Sequence, residues 1–193
     1  CSISVSETVL AGRKIFVYAG NMGVAQGMDI ILSLAESLIR RKDLGFLFVG
    51  RGSSVKRMLS ESKKRGLDNT AFFEEIESSE IPGLYEQCHV GLVVLDPRHK
   101  THNIPGKFLS YMKSGLPVLA SINPGNDLAD LIACRRVGKV CMDPSVKELT
   151  LLAEELVREI VADGEIQARC QALSSELFSP KIAVNQIINA LRK

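Results

Sequence analysis

The chain has 193 residues, with 24 basic and 22 acidic side chains, a net charge of +2 and a hydrophobic fraction of 46%. That length and apolar content predict one compact domain with a substantial core. The nearly balanced charge predicts no strongly basic face, which argues against a nucleic-acid partner. The five cysteines are scattered and no pair has Cys-x-x-Cys spacing, so we expect reduced thiols rather than disulfides or a cysteine metal site.

The apolar segments and the N-terminus bear on location. No apolar run reaches the roughly 18 residues that a membrane-spanning helix needs, and the N-terminus lacks a basic-then-apolar signal sequence. Together with the reduced cysteines, this predicts a cytoplasmic protein. Residues 1–13 have only a weak pattern and do not begin with Met. We interpret them as a linker at the edge of a fragment cut from a longer protein, followed by a single domain at 14–193.

Strands and helices alternate along most of the chain. Short apolar segments predict buried parallel strands at 14–19, 44–49, 70–73, 88–95, 117–120 and 138–142. Apolar residues at helical spacing predict helices at 28–40, 53–65, 79–87, 107–114 and 128–134, and three helices after residue 145. The fold class is therefore α/β, a doubly wound, Rossmann-like parallel sheet of about six strands with helices on both faces and a helical C-terminal tail.

Two basic residues lie in glycine-bearing turns that follow predicted strands. Pro105 has a fixed φ, and Gly106 is expected to adopt a φ that other residues avoid. The backbone there would then be shaped for close approach to a ligand. Lys107 then enters the first turn of a helix, where unpaired N–H groups favour an anion. Arg51, between two glycines, is also well placed for an anion, although a plain exposed position is the alternative. The stretch around Lys107 indicates either a phosphate site or an ordinary loop–helix–strand unit.

A third turn, after the first strand, carries glycines at Gly20, Gly23 and Gly27. This spacing differs from the dinucleotide-binding pattern, so a purely structural turn is an equal alternative. Asn21 and Gln26 could donate hydrogen bonds to phosphate oxygens without adding charge. Because the carboxyl ends of parallel strands share one edge of the sheet, we expect this turn to meet those of Arg51 and Lys107.

The order of these turns resembles the C-terminal, donor-binding half of a GT-B-type glycosyltransferase of family four. The resemblance covers about residues 15–193 and is clearest to the bacterial group that builds O-antigen and capsule sugars, including N-acetylfucosamine-type transferases. The resemblance is based on the segments 19–27, 49–52 and 104–118, above all on Ile-Pro-Gly-Lys at 104–107. Members of this family hold a nucleotide diphosphate sugar at the rim of the sheet.

The resemblance implies roles for individual residues. The implied catalytic residues are His102 and Lys107, and the implied donor-binding residues are Gly20, Asn21, Gly23, Gln26, Arg51, Glu75, Ile76, Asn103, Gly106, Lys107 and Ser110. Glu75 and Ile76 stand where family members meet the nucleobase through backbone groups.

The chain departs from the general family pattern at four of these positions. Asn21 and Gln26 replace an Arg and a Lys that contact the diphosphate, as they do in the bacterial subgroup. The two glutamates of the family fall on His102 and Ser110. Ser110 retains a hydroxyl for the ribose in place of a bidentate carboxylate. His102 could donate to the departing phosphate, which suits leaving-group stabilisation.

The resemblance implies transfer of a sugar, with a UDP-sugar as the expected donor, to a lipid-linked saccharide in surface polysaccharide synthesis. It implies no cofactor and no metal, and an N-terminal domain of the full-length chain that carries the acceptor. A peripheral position at the inner face of the cytoplasmic membrane is left open, and the fragment alone is expected to bind nucleotide without turnover. The alternatives are a non-catalytic nucleotide-binding scaffold of the same fold and a UDP-sugar epimerase.

Overall fold

Six parallel strands form one sheet in the computed structural model, which describes residues 1–23, 27–95, 104–143 and 145–177. The strands are β1 (Lys14–Ala19), β2 (Leu44–Val49), β3 (Thr70–Phe73), β4 (Val90–Val94), β5 (Val118–Ser121) and β6 (Gly138–Cys141). Their spatial order is β3-β2-β1-β4-β5-β6, and every neighbouring pair is parallel. The predicted fold class is confirmed, and the first three strands have the predicted bounds.

Seven α-helices connect and follow the strands in the described ranges. They are α1 (Asp29–Ser37), α2 (Val55–Lys64), α3 (Ile81–Tyr85), α4 (Gly106–Lys113), α5 (Asp127–Arg135), α6 (Val146–Ala162) and α7 (Ile166–Leu177). The helix predicted at 79–87 is shorter, because a 3-10 turn at Ser78–Glu80 precedes α3, whose interior holds Pro82 and Gly83. The third tail helix, predicted near 182–191, lies outside the described residues.

The helices cover both faces of the sheet. One face packs α3, α4, α5 and most of α7 against alternate strand residues such as Val17 and Val49. The opposite face packs α1, α2 and α6 against the other set, including Phe16, Tyr18 and Phe48. Because side chains alternate across a strand, the continuous apolar strands supply both layers of the core.

The chain order reverses between β1 and β4, and there the two strands pair only briefly. Their register comprises Phe16 with Val90 and Val17 with Gly91. Beyond it the Tyr111 hydroxyl from α4 donates to the Val17 carbonyl at 3.1 Å and lies 3.4 Å from the Ala19 amide, from which it accepts. A Cβ at Gly91 would lie 2.5 Å from the Tyr111 ring, so this strand position must be glycine. Ligands of doubly wound sheets bind at such a reversal point.

The N-terminal segment 1–13 packs on this domain. Ile3, Val5 and Leu10 are buried. The side-chain amide of Gln87 accepts from the Val5 amide at 2.8 Å and donates to the Ile3 carbonyl at 3.0 Å. Whatever it connects to, this predicted linker is therefore held against the region just after α3.

Candidate functional site

A cavity of about 610 Å³ lies at the carboxyl edge of the sheet. Its walls come from the ends of β1 and β2, the segment after β3, and the first turns of α3 and α4. The lining residues are Ala19, Gly20, Val49, Gly50, Glu75, Ile76, Glu77, Ser78, Ile81, Tyr85, Lys107 and Ser110. Residues that are remote along the chain thus meet where the sheet topology predicts a ligand.

Two of the glycine turns close onto each other beside this cavity. The Gly20 amide donates to the Val49 carbonyl at 2.9 Å, and the Met22 amide donates to the Arg51 carbonyl at 2.7 Å. A Cβ at Gly50 would lie 2.1 Å from the Gly20 oxygen, and Gly50 has φ 142°, which side chains rarely adopt. These glycines therefore allow backbone to contact backbone, and the β2 turn serves the fold at this point.

The start of α4 is open by comparison. Pro105 precedes the helix in an extended conformation, and no side chain caps the helix. Among the described residues, the amides of Gly106 and Lys107 make no hydrogen bond, while the Phe108 amide donates to the Pro105 carbonyl at 2.9 Å. The expectation of an unusual φ at Gly106 is wrong, because Gly106 does not have a positive φ. A Cβ there would meet no atom of the described residues within 4 Å, so they leave space at this corner.

Lys107 turns inward from α4 toward the first glycine turn. Its Nζ lies 3.4 Å from the centroid of the Tyr18 ring and 4.0 Å from where a Cβ on Gly20 would be. Burial lowers the pKa of the Lys107 ammonium to about 7. No carboxylate of the described residues pairs with it, and desolvation is the sole cause of the pKa shift. The site thus presents a desolvated cation that has no counter-ion in the described part of the chain.

The predicted donor-binding residues divide into three groups. Gly20, Glu75, Ile76, Lys107 and Ser110 line the cavity. The Ser110 hydroxyl lies 3.4 Å from the Gly106 carbonyl, as the donor of a long bond, so it is only weakly engaged. The cavity therefore brings together the residues expected to meet base, ribose and phosphate.

The second group lies at the same edge but outside the cavity lining. Arg51 is 79% exposed, and its Nε lies 3.2 Å from a Glu75 carboxylate oxygen. Asn21 is exposed, and its backbone carbonyl accepts a hydrogen bond from the Tyr18 hydroxyl at 2.7 Å. Gly23 and Gly106 belong to the adjoining turns. Arg51 would have to leave Glu75 to reach a ligand in the cavity.

The third group, Gln26, His102 and Asn103, lies outside the described residues. Their predicted roles, including that of His102 in leaving-group stabilisation, stay predictions. His89 has a structural contact instead, because its Nδ1 accepts a hydrogen bond from the Ile15 amide at 3.1 Å.

Three tyrosines around the site have no role in the prediction from the sequence. Tyr18 lies under the Lys107 ammonium, Tyr111 bridges the split between β1 and β4, and Tyr85 lines the cavity with its ring 5.0 Å from that of Tyr111. Within their predicted elements they look like ordinary apolar core residues. Tyr111 belongs to the segment 104–118 that carries the family resemblance, and it follows Lys107 by four residues, a spacing that puts both on one side of α4.

The described ranges also bear on metal binding and on membrane insertion. There, no three His, Cys, Asp or Glu side chains lie close enough together to hold a metal ion. Over the same ranges, no helix combines the length and the apolar character needed to cross a bilayer.

The family model described as "Glycosyl transferases group 1" matches residues 13–159, which is most of the chain. The chain belongs to this family. Two curated relatives of this glycosyltransferase domain are bacterial. "Probable glycosyltransferase WbjE" of Pseudomonas aeruginosa is 26% identical over 145 residues, and "Putative colanic acid biosynthesis glycosyl transferase WcaI" of Escherichia coli K12 is 27% identical over 180 residues. The matches cover 75% and 93% of this chain but only 36% and 43% of those relatives.

Solved structures show the same fold at lower identity. Anabaena Alr3699/HepE in complex with UDP superposes with a TM-score of 0.78 at 17% identity, covering 95% of this chain and 50% of that one. The family and GT-B fold predicted from the sequence are thus confirmed for this glycosyltransferase domain, while the N-acetylfucosamine type stays a prediction.

Proposed function

We propose that the cavity binds the nucleotide diphosphate of a sugar donor, most simply a UDP-sugar, and that the domain is the donor half of a bacterial polysaccharide glycosyltransferase. The observation that carries this proposal is the Lys107 ammonium, which has no described counter-ion and lies beside Gly20 at the open start of α4. An ammonium and free helix amides are complementary to a diphosphate. HepE, of the same fold, has been crystallised with UDP, which supports the choice of nucleotide.

The other walls of the cavity fit the remaining parts of a nucleotide. Backbone groups at Glu75 and Ile76 border the end of β3, where a base can be read through main-chain donors and acceptors. Ser110 stands one helical turn after Lys107, so its hydroxyl is in reach of a ribose whose phosphates meet Lys107. In this arrangement the diphosphate lies against α4 and the sugar extends toward the turn at Gly20.

The chemistry that this site would assist is heterolysis of the anomeric C–O bond. Negative charge builds on the β-phosphate as that bond breaks. The site would stabilise this developing charge more than it stabilises the uncharged bridging oxygen of the intact donor. Lys107 and the amides at the α4 start can supply this stabilisation, so we expect no metal cofactor. His102 would add a proton or hydrogen bond to the departing phosphate or to the sugar.

The acceptor side is inferred from the relatives' length and names. The chain spans less than half of WbjE or WcaI, and the name of WcaI places that protein in colanic acid biosynthesis. We infer that an N-terminal domain of the full-length protein carries a lipid-linked saccharide acceptor at the inner face of the membrane. The 193-residue chain then binds donor nucleotide without transferring sugar.

Calorimetric titration of the 193-residue chain with UDP, UMP and uridine tests the donor site. We expect affinity to fall in that order, because each step removes phosphate that Lys107 and the helix amides contact. Absence of heat at millimolar UDP, with the chain folded by circular dichroism, would contradict the proposal. In the full-length protein, Lys107→Ala should abolish most sugar transfer, whereas the alternative of a non-catalytic scaffold predicts almost no loss of transfer.

A further inference from the structure

Tyr18, near the end of β1, contacts the candidate phosphate site through both its hydroxyl and its ring. The residue is fully buried. Its hydroxyl donates to the Asn21 carbonyl at 2.7 Å, and its ring centroid lies 3.4 Å from the Lys107 Nζ. One side chain therefore contacts both the glycine turn and the cation that faces it.

The described partner of the Lys107 ammonium is the face of the Tyr18 ring and not a carboxylate. Burial alone disfavours the charged form of Lys107, and a carboxylate would normally compensate for it. The described carboxylates that line the cavity are Glu75, which pairs with Arg51, and Glu77. An ion pair would neutralise the charge that a phosphate needs, whereas a ring stabilises the cation and leaves its outward hydrogens free to donate.

We propose that Tyr18 is a positioning residue that holds the Lys107 ammonium against its ring, pointed at the Gly20 turn, so that the cation is in place before a diphosphate arrives. This inference rests on the proposed function, because it assigns Tyr18 a part in the same binding site. It acts through Lys107 and does not require Tyr18 to touch the ligand.

In the described part of the site, Lys107 is the group whose pKa lies near neutrality. Burial raises the pKa of Tyr18, Tyr85 and Tyr111 above the ordinary range, so these phenols are neutral. Glu75 and Glu77, which border the cavity, are exposed to solvent. Nucleotide affinity should therefore fall as the pH rises through the Lys107 pKa of about 7, because the neutral amine attracts a diphosphate less.

The geometry itself has a signature that needs no ligand. Protons on the Lys107 side chain that lie above the Tyr18 ring are shifted upfield by its ring current. We expect lysine-selective NMR of the 13C-labelled chain, assigned with Lys107→Gln, to show this shift in the wild type and in Tyr18→Phe. It should disappear in Tyr18→Leu. Unshifted Lys107 signals in the folded wild type would overturn the inference.

Nucleotide titrations then test the role in binding. Tyr18→Phe keeps the ring and should bind UDP within about threefold of the wild type, whereas Tyr18→Leu should bind about tenfold more weakly at neutral pH. In Tyr18→Leu the fall of affinity with pH should also begin at a lower pH, because the ammonium has lost a stabilising partner.

Phe16→Leu is the matched control for a lost buried ring. Phe16 is fully buried on the same face of β1, and its ring stacks on Phe46 rather than under Lys107. We expect its UDP affinity and pH profile to match the wild type. Equal UDP affinity in Tyr18→Leu and Phe16→Leu would overturn this inference alone. A folded wild type that binds no UDP would overturn the proposed function and this inference with it.

Discussion

The turn after β2 and the start of α4 each bring a basic residue and glycine to the carboxyl edge of the sheet, yet their polar groups are used differently. At the β2 turn the Arg51 carbonyl accepts from the Met22 amide, and the Arg51 side chain is exposed and paired with Glu75. At α4 the amides of Gly106 and Lys107 have no partner among the described residues, and the inward-pointing Lys107 has no counter-ion among them either. Hydrogen-bonding capacity is used by the fold in the first region, whereas in the second it has no partner among the described residues.

This difference separates two glycine-rich motifs that look alike in a sequence. A glycine that permits backbone-to-backbone contact, such as Gly50, supports the architecture. A glycine that faces open space, such as Gly106, leaves room for something else. Which kind is present depends on what lies opposite in the fold, and a partly buried cation with no described counter-ion, such as Lys107, makes the second kind a candidate binding site.

The largest expected effect is on stability, and it tests the difference between Gly50 and Gly106. Gly50→Ala places a Cβ 2.1 Å from the Gly20 oxygen at a φ of 142°, so we expect the free energy of unfolding to fall by more than about 3 kcal/mol. Gly106→Ala meets no atom within 4 Å and should leave stability unchanged or raise it by up to about 1 kcal/mol. Urea unfolding of both variants measures this. Equal stability losses would mean that the two regions are built alike.

The next effect compares the two cations as phosphate ligands. Lys107→Met should weaken UDP binding by about 10- to 100-fold, because it removes a charged donor in a partly desolvated site. Arg51→Gln should change it by less than about threefold, since the Arg51 guanidinium is exposed and paired with Glu75. Calorimetry at neutral pH gives both values. A larger loss in Arg51→Gln than in Lys107→Met would reverse the assignment of the site.

The smallest effect is a gain of stability when the unpaired cation is removed. The pKa of Lys107 is about 7 in the folded chain against an ordinary 10.5, so between these values the unfolded chain binds more protons and stability rises with pH. Lys107→Met should therefore raise Tm by about 2–4 °C near pH 6, and the gain should shrink toward pH 10.

The exposed Lys113 on the same helix supplies the control for that measurement. Lys113→Met should leave Tm nearly unchanged over the same pH range, because its ammonium is solvated in both states. A Tm of Lys107→Met at or below the wild type near pH 6 would show that the cation is not held at a cost in stability.

Local chemistry determined most of the architecture. The continuous apolar runs at β1, β2 and β3 have the predicted bounds, because buried parallel strands need little beyond apolar, β-branched and aromatic residues between turns. Asn126 and Ser145 cap α5 and α6 with their side chains, as their positions before apolar periodic segments indicate. Ser54, which precedes α2 in the same way, makes no such bond, because its backbone is αR (φ −87°, ψ −13°) and not in the extended conformation that Asn126 and Ser145 adopt as caps.

By itself the sequence determined the α/β fold and the edge at which the turns meet, and it predicts Lys107 as the leading anion ligand. Only the tertiary structure decided that Arg51 is turned to Glu75 while Lys107 rests on Tyr18, and that Tyr111 fills the gap between β1 and β4. The physical reason is that strand and helix patterns are set by neighbours along the chain. The charge state and orientation of a side chain depend instead on burial and on partners that only the folded sheet brings near.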